Sequence, residues 1–149
     1  MFHRLYQYNY NTNEKLIHYL NENLVEHKQI TSWISHLLNA HVIWLSRLKG
    51  EISPYTVWQE QERSQWLTIN QQTWEITKQF LKDTDDLAQK ITYQNSKGAS
   101  FHNRIDDVLW HVLNHSTHHR GQISTLIRQQ GITPTSMDYI FHVREEMKM

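Results

Sequence analysis

Glycine and proline are scarce in this chain, with four Gly and two Pro in 149 residues. A backbone with so few breaking points favours long regular elements, and between the breaks the apolar residues recur three and four apart. That period predicts a first helix from Phe2 to about Leu24, with Leu5, Leu16, Ile17 and Leu20 on its apolar side. A second helix runs from about Thr31 to Lys49 through Trp33, Ile34, Leu37, Leu38, Trp44, Leu45 and Leu48, with Gly50 placed to stop it. Ser53-Pro54 opens a loop, and a third helix covers about Gln61 to Lys82, with Trp66, Ile69, Thr73, Ile76 and Phe80 as its stripe. A fourth spans about Asp106 to Gln130, closed by Gly131 and Pro134, and the tail from Met137 to Glu146 adds one short helix.

Between Ile91 and His102 the pattern shortens. Ile91 to Gln94 and Ala99 to His102 flank Asn95-Ser96-Lys97-Gly98, which predicts two short strands around a turn. No internal repeat, low-complexity tract or linker divides the chain, so residues 1–149 are expected to form a single domain. The expected fold is all-α, a four-helix bundle with a short β-hairpin before the last long helix. Bundles of this kind build metal sites from side chains that face inward off different helices.

Composition narrows the function. Fifteen Lys and Arg balance fifteen Asp and Glu, which gives no broad basic footprint, so no nucleic-acid partner is expected. The start, Met1 to Tyr8, lacks the apolar core of a secretory signal, and no stretch approaches the roughly 20 apolar residues of a membrane span. A cytoplasmic protein without a membrane partner is therefore expected. Cysteine is absent, which removes disulfides, thiolate ligands and cysteine nucleophiles. Eleven histidines and six tryptophans stand out, and imidazole is the commonest protein ligand for transition metals.

Four of those histidines lie on the fourth helix: His111, His115, His118 and His119. With His111 at 0°, the apolar stripe spans about 60–160°, His115 falls near 40° and His119 near 80°, whereas His118 falls near −20°. His115 and His119 therefore face the core, one turn apart, at a separation from which two imidazoles can reach one ion. His111 and His118 sit toward the edge. The HxxxH spacing is common by chance, and two core imidazoles can instead be satisfied by hydrogen bonds to neighbouring polar groups. Ser116 stands where the zinc-protease HExxH motif requires Glu, so that chemistry is not supported. A further ligand has to come from elsewhere. The second helix offers His36 and His41; periodicity leans to His41 as the more buried of the two but does not decide between them.

The run His111 to Ile123, containing Asn114-His115-Ser116-Thr117-His118-His119-Arg120-Gly121-Gln122, strongly resembles the signature helix of the DinB/YfiT-like metal-binding superfamily. His36 to Gly50 resembles that family's second helix, and Tyr8 to Asn13 the end of its first-helix motif; the likeness covers nearly the whole chain. It implies a four-helix bundle, often a homodimer, that holds one divalent metal ion, usually zinc or nickel. Carried over residue by residue, the ligands become His36, His115 and His119, so the motif selects His36 over His41. His41 is then expected to support the ligands or face the substrate, with His111 and His118 as further candidates for that role.

Three neutral imidazoles would leave the double charge of the ion intact and at least one coordination position open, the pattern of a catalytic site. Some members of the family look like thiol S-transferases that use bacillithiol, mycothiol or glutathione, which implies a low-molecular-weight thiol added to a small electrophile. A hydrolase that activates water at the same site, and a metal-binding stress-response module without turnover, are the alternatives. Trp33, Trp44, Trp66 and Trp74 are expected in the core or at a dimer contact. Asp106 and Asp107 complement the dipole of the fourth helix. Gly121 is expected to let a neighbouring helix approach, and His3, His18, His27, His102 and His142 to lie on the surface.

Overall fold

The computed structural model describes residues 1–148. Five helices form, α1 (Phe2–Glu22), α2 (Lys28–Lys49), α3 (Trp66–Asp83), α4 (Ile105–Gln129) and α5 (Tyr139–Glu146), with a single 3₁₀ turn at Arg63–Gln65. One antiparallel hairpin precedes α4, made of β1 (Lys90–Gln94) and β2 (Ser100–Arg104), with Thr92 opposite His102. The expected all-α bundle with its hairpin is therefore present. Local chemistry accounts for the ends of α2: the His27 ring accepts a hydrogen bond from the Gln29 amide at 3.1 Å, and Gly50 takes the left-handed conformation at φ 68°. The expected α3 loses its first residues to the 3₁₀ turn.

The four long helices close a ring in which α2 and α3 pack together, α1 lies against α3, and α4 lies against both α1 and α2. Two apolar layers fill it. One gathers Leu16, Leu20, Ile30, Ile34, Trp66 and Ile127; the other gathers Tyr6, Leu45, Trp74, Leu109 and Val112. Each buried aliphatic side chain contributes about 1.5–3 kcal/mol.

Between the layers every long helix places buried polar residues at the same level. These are Asn9 and Asn13 on α1, Asn39 and His41 on α2, Asn70 and Thr77 on α3, and Ser116 and Arg120 on α4. Most of these groups find partners, Asn39 with Gln59 and Gln61 of the loop after α2, while the Ser116 hydroxyl is buried without one. The Asn13 amide donates to Asn70 at 3.2 Å, and the Arg120 guanidinium donates to Asn9 at 2.6 Å and to Asn13 at 2.8 Å. Partnered in this way, the buried amides and the guanidinium specify the register of the helices.

Three expectations fail locally. Ile76 is 42% exposed because the stripe of α3 turns through Thr73 and Thr77, whose hydroxyls bond back along the helix to Ile69 and Thr73. Gly121 has nothing within 4 Å of an added Cβ, so no helix approaches it; the buried member of its motif is Arg120. His142 is not fully on the surface, since its ring lies 5.5 Å from that of Tyr8 and it pairs with Glu146 at 3.2 Å. Asp106 meets its expected role only in part, because its carboxylate is taken by Arg104 at 2.6 Å. Among the described residues no helix is long and apolar enough to cross a membrane.

Candidate metal centre

α2 and α4 pack side by side at the level of the polar layer and bring His36, His115 and His119 together. His115 and His119 lie one turn apart on α4, with ring centroids 4.4 Å from each other. The His36 ring meets them at 4.8 and 4.6 Å. The Nε2 atoms converge, with His36 Nε2 at 3.0 Å from His115 Nε2 and His119 Nε2 at 3.1 Å from it.

Partners on the far sides of the rings decide which nitrogens carry protons. His36 Nδ1 donates to the Val57 carbonyl at 3.1 Å, and His119 Nδ1 donates to the Gln122 side-chain oxygen at 2.7 Å. In the neutral tautomer each of these rings then presents a bare lone pair at Nε2. One proton on His115 Nε2 can serve only one of the two close contacts well, which leaves lone pair facing lone pair at the other. An electron-rich cluster of this kind calls for a cation.

Protonation does not relieve this contact. Burial first, then the neighbouring His119 and His36 rings, push the His115 pKa down to about 3. Burial also lowers the pKa of His36 against the Val57 carbonyl, and that of His119 against Gln122. All three imidazoles are therefore neutral donors at neutral pH. Nitrogens bound to one zinc ion at about 2.0–2.1 Å stand about 3.3 Å apart in tetrahedral geometry, so the two close contacts already approach ligand spacing. No carboxylate belongs to the cluster among the described residues. The residues present fit one divalent ion.

The other sequence candidates lie around this set. His41 is as buried as His36, at 8% against 7% exposed, but it points to α3, where its Nε2 meets Thr77 Oγ1 at 3.1 Å. It neither joins the cluster nor faces an opening. His111 lies beyond His115 at 5.8 Å, edge-on to Trp44 at 4.9 Å; His118, exposed, lies 5.2 Å from His119.

Sequence reasoning missed two residues of the loop after α2. Trp58 lies flat on His36, with centroids 4.0 Å apart and planes 12° from parallel, and Val57 supplies the carbonyl that fixes the His36 tautomer. Neither has helical spacing to betray it. An isolated loop tryptophan 59% exposed is a weak signal, but here its face covers the His36 ring.

The arrangement also agrees with known sequences. Protein DinB of Bacillus subtilis (strain 168) is 27% identical over 157 residues, spanning 91% of this chain and 90% of that protein. The family model described as DinB family matches residues 4–148, from the start of α1 to beyond α5, and so takes in both helices that supply the histidines. With the hairpin, the bundle and the two His-bearing helices all inside that match, the chain belongs to the DinB family.

Proposed function

We propose that this protein is a metal-dependent S-transferase that joins a low-molecular-weight thiol to a small electrophile. The observation that carries the reading is the convergence of three neutral Nε2 donors from His36, His115 and His119 in a cluster without a carboxylate. A divalent ion held there, zinc or nickel as the family likeness implies, would keep its full charge and act as a Lewis acid that makes a nearby thiol a better nucleophile at neutral pH.

The rest of the work falls to the chain. Val57 and Gln122 hold the His36 and His119 rings in the tautomer that presents Nε2. Trp58 covers one side of His36, while His115 and His119 remain only half-buried and leave the cluster open to a small molecule. His111 and His118 flank the set and are available to take the proton that the thiol gives up. In the transfer the S–H proton leaves, an S–C bond forms, and the displaced group departs with the bonding electrons.

The test incubates full-length, untagged protein, loaded with zinc or with nickel, with bacillithiol, mycothiol or glutathione and an aryl halide. Thiol consumption above the chelator-treated control, lost in His119→Ala, supports the reading. Consumption equal in all samples overturns it. Metal-dependent cleavage of a generic ester in place of thiol consumption would move the assignment to a hydrolase.

A further inference from the structure

One cavity lies away from the histidine cluster. It is a cleft of about 650 Å³ between α1, α4 and the segment from Pro134 to Tyr139. Its floor on α4 includes Thr117, Gly121, Ser124 and Arg128, which turn to roughly the opposite side of that helix from His115 and His119. The volume is that of a small-molecule pocket.

Two features of this cleft bear on what it could hold. The first is charge. Arg120 lines it, is 2% exposed, and is held by neutral groups: Asn9, Asn13, the Thr117 hydroxyl at 3.2 Å and the face of the Tyr8 ring, whose centroid lies 5.4 Å from the guanidinium carbon. Among the described residues no carboxylate pairs with Arg120, nor with Arg128. A guanidinium withdrawn from water without a counter-ion is costly, and its planar fork is shaped for a carboxylate. Two cationic side chains therefore face one acidic one, Asp138, in the same cleft.

The second is Gly121. It sits in the interior of α4 with no left-handed φ, and an added Cβ would touch nothing. Glycine there weakens the helix and serves neither a turn nor a close helix contact. What it does is leave the floor of the cleft open, one turn along from Thr117 and next to Arg120.

We propose that this cleft binds a small organic anion, a carboxylate carried on a flat apolar body, with its head at Arg120, Arg128 adding positive charge further along α4, and its body over Gly121 against the rings of Tyr8 and Tyr139. A singly charged carboxylate suits the site better than a dianion, because one guanidinium is fully buried and the remaining polar wall consists of neutral hydroxyls such as Thr117 and Ser124. This site is independent of the metal centre and of the reaction assigned there.

The probe is naphthoate, titrated calorimetrically into the full chain with zinc and again after chelation, with the uncharged naphthyl alcohol as control. Expected is one equivalent bound in both metal states, weakened about tenfold or more by Gly121→Phe, which fills the floor, and several-fold by Arg128→Gln. Gly121→Ala adds one methyl group and should retain binding. If Gly121→Phe fails to fold, Arg128→Glu, at an exposed position, carries the test alone. No binding, binding only with zinc present, equal binding of the alcohol, or affinity unmoved by the variants would overturn the proposal.

Discussion

Acid should destabilise this protein through His41, a residue outside the metal cluster. Its Nε2 lies 3.1 Å from Thr77 Oγ1, and the Thr77 hydroxyl already donates its only proton to the Thr73 carbonyl at 2.7 Å. His41 Nε2 must therefore be the donor, and a second proton would have to go on Nδ1 inside the core, near the Tyr6 ring at 5.4 Å. Burial alone drives the pKa from its ordinary value of 6.5 down to about 3. A depressed folded-state pKa means that the unfolded chain takes up the proton first. The contribution is complete above about pH 6.5, shrinks as pH falls, and is fully lost only below about pH 3. Between about pH 7.5 and pH 5 that amounts to about 2 kcal/mol. Urea unfolding of chelator-treated wild type and His41→Gln at both pH values isolates the effect, since Gln can still donate to Thr77 and the other histidines titrate alike in both proteins. The wild type should lose about 2 kcal/mol more than the variant on acidification. Equal losses would refute the assignment of a neutral, proton-excluding His41.

Two further outcomes follow from the same geometry. Trp58→Ala removes the ring stacked on His36 and should weaken zinc affinity several-fold, up to about tenfold, in a competition titration; because Trp58 is 59% exposed, the melting temperature should barely move. Arg120→Lys exchanges a fork bound to Asn9, Asn13 and Thr117 for a point charge that cannot reach all three, and should cost about 2–4 kcal/mol in urea unfolding at neutral pH.

The bundle was legible because long amphipathic periods with few breaking residues leave little choice of architecture, and the hairpin because its turn residues interrupt that period. The pair His115 and His119 was legible for the same reason: one helical turn on the core side places both rings together whatever the neighbouring helix does. His36 against His41 was not. Helical angle reports burial, and both are buried to the same degree; what separates them is which helix each faces, α4 for His36 and α3 for His41. That is a property of packing, and only the motif likeness anticipated it. Val57 and Trp58 were invisible because a loop's path carries no period. Arg120 was missed because a charged residue reads as solvent-facing unless its partners are known, although Asn9 and Asn13, one turn apart among the apolar positions of α1, were a visible sign that a polar group had to meet them.

The central claim is that His36, His115 and His119 hold one divalent ion. Its most direct test is metal content by plasma mass spectrometry on protein purified without an affinity tag, for wild type, His36→Ala, His41→Gln and the His115→Ala/His119→Ala double variant. About one equivalent of zinc or nickel should accompany the wild type and His41→Gln, and be lost from the other two while they remain folded. Wild-type protein that is folded, metal-free and unable to take up added zinc or nickel would contradict the account.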